Sequence, residues 1–143
     1  MTTVILRGVS GSGKSFAADA IKSLNTKRVE VCTADDYFID ENGNYNFDRG
    51  KLSKAHVACF EKFRKAIESG EFDMVIVANT NTSEWEFKKY SDFSLAKDVP
   101  VVYLVVENRH GNSNSHGCPD EAIEKQKQNL TKSLQWAKKK KED

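Results

Sequence analysis

Two patterns of apolar positions alternate along the 143-residue chain. Residues 2–7 place Val4, Ile5 and Leu6 in a row, residues 28–33 read Arg-Val-Glu-Val-Cys-Thr, and residues 72–78 read Phe-Asp-Met-Val-Ile-Val-Ala. Residues 99–106 form a fourth apolar run, with Pro100 near its start where no ladder partner is needed. Short continuous runs of this kind predict strands covered on both faces. Between them the period changes to three and four. Phe16, Ala17, Ala20, Ile21 and Leu24 predict a helix from Lys14 to about residue 25, and Leu52, Ala55, His56, Cys59, Phe63 and Ile67 predict a second, closed by Ser69 and Gly70. Ser83 followed by Glu84 and Glu86 opens a third over residues 83–96, whose apolar face of Trp85, Tyr90 and Phe93 is irregular. Pro119, followed by Asp120 and Glu121, opens another through Ile123, Lys127 and Leu130, and residues 131–141, with Leu134 and Trp136, predict a last docked helix or tail. Strands alternating with helices predict an α/β fold of three layers around a small, mainly parallel sheet of four to five strands.

The turn between the first strand and the first helix carries the chemistry. Residues 8–15, Gly-Val-Ser-Gly-Ser-Gly-Lys-Ser, match G-x-x-x-x-G-K-[ST] at every fixed position and sit between strand and helix as that phosphate-binding loop requires. The glycines Gly8, Gly11 and Gly13 let successive N–H groups turn inward around phosphate oxygens, with Ser10 and Ser12 between them. Lys14 supplies a mobile positive charge to the outer phosphates, and Ser15 offers its hydroxyl to Mg²⁺ at the positive end of the helix. The architecture is therefore a P-loop kinase or NTPase fold that takes ATP or GTP with Mg²⁺.

In parallel sheets ligands bind beyond the carboxyl ends of the strands, so the residues just past each strand share one rim with this loop. The second strand delivers Ala34, Asp35, Asp36, Tyr37 and Phe38. A carboxylate there is placed to accept a proton from an attacking hydroxyl, or to cap the following turn; with two aspartates each role has a candidate, and Asp36 is also placed to assist Mg²⁺ through water. Residues 39–50 form a long Asn-, Asp- and Gly-rich loop, which in a compact domain points to substrate contact. Its Tyr45 and Phe47 either pin the loop to the core or stack on a base. The third strand runs into Asn79, Thr80, Asn81 and Thr82, where Thr80 and Asn81 are placed to orient the rim or touch an acceptor. Many phosphate-loop enzymes end this strand with a carboxylate for the Mg²⁺ shell, and here Ala78 and Asn79 stand in that place. Residues 107–117 are polar, small and aperiodic, and carry Arg109, either a lid arginine over a triphosphate or a solvated loop cation. His56, on an apolar stripe, reads as a hydrogen-bonded core histidine in preference to a catalyst.

Charge changes this picture in one respect. With 22 basic and 21 acidic side chains the net charge is +1, so no domain-wide basic field holds a polynucleotide and any such ligand depends on local contacts. The lysines of residues 138–141 are one candidate patch, or a solvated helix end. Cys32, Cys59 and Cys118 are odd in number and widely spaced, which fits reduced thiols better than a metal site with His56, His110 or His116. No apolar run reaches membrane-spanning length, and residues 1–143 read as a single cytoplasmic domain of undetermined oligomeric state.

Taken together, the loop at residues 8–15, Ala34 to Phe38, the Leu52 to Gly70 helix, Val75 to Thr82, and Arg109 with His116, Gly117, Cys118 and Pro119 resemble the polynucleotide-kinase branch of the phosphate-loop kinases. That branch of AAA-type kinase domains includes phage polynucleotide kinase and the kinase-like modules of some ubiquitin-ligase-binding proteins. The resemblance implies transfer of the γ-phosphate of ATP to a 5′-hydroxyl of DNA or RNA. It places the general base on Asp35, the loop lysine and serine on Lys14 and Ser15, and a lid arginine on Arg109; Phe38, Thr80 and Asn81 on the same rim are the further candidates for acceptor contact. The chain departs from the family at Phe38, where the phage enzyme has an arginine, and at Ala78, where other members have an aspartate. A kinase for a nucleoside, a modified base or another small hydroxyl compound shares the same nucleotide machinery, and a nucleotide-binding module without turnover is the remaining alternative.

Overall fold

A computed structural model describes residues 1–24, 27–107, 109 and 118–140, with side chains as far as residue 135. Four strands, β1 (Thr2–Arg7), β2 (Val29–Cys32), β3 (Met74–Val77) and β4 (Val101–Val105), form one sheet in the order β2-β3-β1-β4. Every neighbouring pair is parallel, with Val4 opposite Ile76 on one side and Val102 on the other. Parallel neighbours need crossovers, and these are α1 (Lys14–Leu24), α2 (Leu52–Ser69) and α3 (Glu84–Ala96), with α4 (Asp120–Lys140) after the last strand.

The period of two in the strands divides the core. Ile5, Val75 and Val77 face one cluster with Ala55, Cys59 and Phe63 of α2 and Phe87 and Tyr90 of α3. Val4, Leu6 and Ile76 face the other, with Ala18 of α1 and Ile21 packed against it. Helices thus cover both faces of the sheet, and the three-layer α/β architecture follows from the alternation of one- and two-sided apolar patterns.

Two expectations change. The fourth apolar run is not covered as the other strands are: Val102, Tyr103, Leu104 and Val105 are each more than two-fifths exposed, because β4 is an edge strand paired to β1 alone. The expected break near residue 131 is absent, and one helix of 21 residues runs through it. Neither Gly nor Pro interrupts residues 120–140, so nothing ends the helical hydrogen bonding there. Among the described residues no helix is long and apolar enough to cross a membrane.

Because all strands run the same way, their carboxyl ends make one rim. Arg7 ties it together. Buried at the end of β1, it donates from Nε to Asn81 O (2.8 Å) and from Nη2 to Thr82 O (3.2 Å) and Ser133 Oγ of α4 (2.6 Å), with its guanidinium 4.6 Å from the Phe87 ring centroid. Burial lowers its pKa, opposed by Glu84 and Glu86.

Candidate active site

The phosphate loop closes tightly on itself. Gly13 has φ +105°, a left-handed value that favours glycine. Gly8 is required by space, since a Cβ there would meet Ser12 Oγ at 2.5 Å and the Val106 carbonyl at 2.6 Å. Ser12 is therefore a buried packing residue whose N–H donates to Val9 O (3.0 Å), and it stands behind the loop rather than on its open face.

Lys14 is drawn back into this curl. It is 8% exposed, with Nζ donating to Gly8 O (3.0 Å) and Val9 O (2.8 Å). Burial lowers its pKa to about 8, while Asp35 and Glu86 act in the opposite direction. The loop N–H of Ser10 donates to Oε1 of Gln126 on α4 at 2.8 Å, so a side-chain amide oxygen occupies a donor suited to a phosphate oxygen. Ser15, by contrast, is exposed at the start of α1.

A cleft of about 740 Å³ opens beside the loop, bordered by Ser10, Gly11, Gly13, Lys14 and Ser15. Its other wall brings Asp35 from the 3-10 turn Ala34–Phe38, His56 from α2, Asn79 and Thr80 from the end of β3, and Glu86 from α3. Asp35 accepts a hydrogen bond from Tyr45 Oη (3.1 Å), and its own N–H donates to Thr33 Oγ1 (3.3 Å). Asn79 fixes the height of that turn, with Oδ1 accepting from Ala34 N (2.8 Å). Glu86 is held by Thr80 Oγ1 (2.9 Å), Thr82 Oγ1 (2.9 Å) and Ser83 N (2.8 Å), so the carboxylate that completes the helix cap also faces the cleft. His56 is half-buried; burial first, and Lys89 second, lower its pKa and favour the neutral ring.

The inward curl, the lysine and the exposed Ser15 hydroxyl fit a nucleoside triphosphate. Among the described residues no three His, Cys, Asp or Glu side chains gather to hold a metal ion. Mg²⁺ commonly arrives on substrate phosphates with one or two protein ligands, and Ser15 fits that mode.

The chain is similar to known proteins. The family described as AAA domain matches residues 4–132. The chain belongs to that family. It is 36% identical over 103 residues to human NEDD4-binding protein 2, a match covering 72% of this chain and 6% of that protein. It spans about 6% of the length of the curated relatives it matches. Among solved structures, the Pnkp1/Rnl/Hen1 RNA repair complex aligns with TM-score 0.70 at 18% identity, covering 94% of this chain and 45% of that one. Kti12 of Chaetomium thermophilum, in complex with ADP-AlF3, aligns with TM-score 0.58 at 14% identity, covering 89% and 79%. The fold of this AAA domain is P-loop kinase-like.

Within the AAA domain, Ser10, Gly11, Gly13, Lys14, Ser15, Asp35 and Thr80 border one cleft, while Gly8 and Ser12 pack behind the loop and Phe38, Asn81, Asp36 and Arg109 stand elsewhere. Phe38 is 5% exposed and packs edge-on against Tyr45 and Phe47, so these aromatics pin the long loop to the core. Asn81 is wholly buried, its Nδ2 donating to Leu6 O (2.8 Å) and Asn79 O (3.2 Å); it brackets the strand ends from below the rim. Asp36 lies outside the cleft with one oxygen 3.6 Å from Lys62 Nζ. Arg109 is exposed and paired with Glu107; the rest of the expected lid, residues 108 and 110–117 with His110 and His116, lies outside the described residues, as does Lys141 of the lysine run, while the side chains of residues 138–140 are likewise undescribed. Cys32 and Cys59 are buried free thiols, burial pushing the first up to about 12. Glu86, Gln126, Phe16 and Trp85 are cleft residues that sequence alone did not single out as such. For Glu86 the signal was present, in a capping pattern three residues past Ser83 that begins at a strand's carboxyl end.

Proposed function

We propose that residues 1–143 form one ATP- and Mg²⁺-dependent kinase module that transfers the γ-phosphate to a 5′-hydroxyl of DNA or RNA. The observation that carries this is the meeting of Lys14, Ser15 and Asp35 on one cleft, a phosphate anchor facing a carboxylate. The membership of the AAA domain family and the structural likeness to a chain of an RNA repair complex agree with it.

Asp35 accepts the proton of the acceptor hydroxyl as its oxygen bonds to phosphorus and the bond from phosphorus to the leaving diphosphate oxygen breaks. Tyr45 orients the carboxylate for this task. Lys14 swings outward from Gly8 and Val9 to neutralise the outer phosphates, and Arg109 supplies a second positive charge. Ser15, with the Glu86 carboxylate on the same cleft, would hold a Mg²⁺ that would neutralise charge on the phosphates.

The test is transfer from γ-labelled ATP to matched short DNA and RNA strands ending in a 5′-hydroxyl or a 5′-phosphate. The proposal expects label on the 5′-hydroxyl strands alone. Label on nucleosides or small hydroxyl compounds but on neither strand would contradict the polynucleotide acceptor while keeping the kinase.

A further inference from the structure

Two large aromatic rings stand in solvent beside the phosphate loop. Trp85, in the first turn of α3, is 79% exposed, and Phe16, in the first turn of α1, is 78% exposed; both border the cleft that holds Lys14 and Asp35. Their neighbours show that the fold does not need them there, since Phe87 and Tyr90 of the same α3 are 7% and 1% exposed and pack in the core. Aromatic side chains gain from leaving water, so a ring left outside the core on the wall of a ligand cleft is an unfilled contact.

The backbone beneath Trp85 is fixed before any ligand arrives. Glu86, just after the ring, accepts from Thr80, Thr82 and the Ser83 N–H just before it, so docking on the ring orders little further chain. Sheet order sets the strand that leads to the ring beside the strand that leads to Asp35. Asp35 follows β2 and Trp85 follows the β3 rim, and these two strands are neighbours at one end of the sheet, beyond the β1 strand that leads into the phosphate loop. Trp85 therefore lines the same cleft as the acceptor-facing carboxylate. Charge supplies the last consideration: at net charge +1, attraction to a phosphate backbone is weak, and stacking is an uncharged contact that every nucleotide offers.

We infer that Trp85, with Phe16 bordering the same cleft, is a stacking platform for a nucleobase at the 5′ end of the acceptor strand. The identity of the ligand rests on the polynucleotide reading above; the ring's readiness to stack rests on exposure and placement. The adenine of ATP is the rival source of a nucleobase, and the two are separable.

The experiment uses the Trp136→Phe protein, in which Trp85 is the sole tryptophan. Its emission is titrated with a short 5′-hydroxyl strand, with the same strand carrying an abasic 5′-terminal residue, and with MgATP. Phosphate transfer to both strands is then compared in the otherwise native protein, Trp85→Ala and Trp85→Phe. Quenching by the base-bearing strand alone is expected, together with a rise in its KM of roughly tenfold or more in Trp85→Ala. Trp85→Phe recovers most of that loss, and the KM of the abasic strand barely moves. Quenching by MgATP in place of the strand, or equal KM rises for both strands, overturns the inference. Selective quenching without transfer upholds stacking and refutes the kinase reading; transfer indifferent to Trp85 does the reverse; neither quenching nor transfer refutes both.

Discussion

The phosphate loop and the acceptor wall face each other across one cleft and are built in opposite ways. The loop is eight consecutive residues whose geometry is local: Gly13 supplies a left-handed turn, Gly8 a close approach, and Lys14 folds back on carbonyls five and six residues away. The wall draws Asp35, His56, Thr80, Trp85 and Glu86 from four separate segments, with Asn79 accepting from Ala34 N and Tyr45 donating to Asp35. Contiguous sites are robust and readable, whereas assembled sites depend on supporting residues that never touch the ligand.

Lys14→Ala separates the two regions most sharply. It removes the only lysine on the cleft from the described residues, and nucleotide affinity and transfer should both fall, on the order of 10²-fold or more, by equilibrium binding and labelled-phosphate assay. Loss of transfer alone would show that the folded-back lysine contributes nothing to binding. Glu86→Ala strikes the wall instead. Two threonine hydroxyls and the Ser83 N–H lose their acceptor, so thermal or denaturant unfolding should report a loss of about 1–3 kcal/mol. A stability within a few tenths of the parent would mean that the carboxylate is not a structural centre of the wall.

A smaller effect comes from the proton on Lys14. The free protein holds it with a pKa lowered to about 8, and the phosphates of a bound nucleotide favour the charged form. Affinity is therefore full below that pH and falls as pH rises through it, by roughly tenfold per unit, with proton uptake on binding. Calorimetry in buffers of different ionisation enthalpy reads the uptake; a flat profile between about pH 7 and 9 would contradict it. Gln126→Ala should give the smallest change and the opposite sign. It frees the Ser10 N–H for phosphate, and ATP should bind about two- to tenfold tighter. Weaker binding would make Gln126 a nucleotide ligand in its own right.

The same contrast explains what could be read in the sequence. Strand and helix periods and the motif at residues 8–15 are short-range patterns, and among the described residues they located the four strands, the four α-helices and the loop. Asp35 and Thr80 were reachable because the rim rule attaches them to strand ends. Phe38 and Asn81 obey the same rule yet point inward, since a strand end supplies both rim and core side chains and sequence position does not separate them. Gln126 meets Ser10 across 116 residues, and Arg7 meets Ser133 across 126, distances that no local pattern spans. Exposure of β4 was equally hidden, because an apolar run does not say whether a neighbour lies on each side.

The central claim is that Asp35 serves the acceptor and Lys14 the nucleotide. Its most direct test is Asp35→Asn assayed in parallel for ATP affinity and for phosphate transfer to a 5′-hydroxyl strand. Transfer should fall about 10²- to 10⁴-fold while ATP affinity stays within about threefold of the parent. Near-normal transfer in that variant, or a loss of ATP binding that matches the loss of turnover, would contradict the division of labour across the cleft.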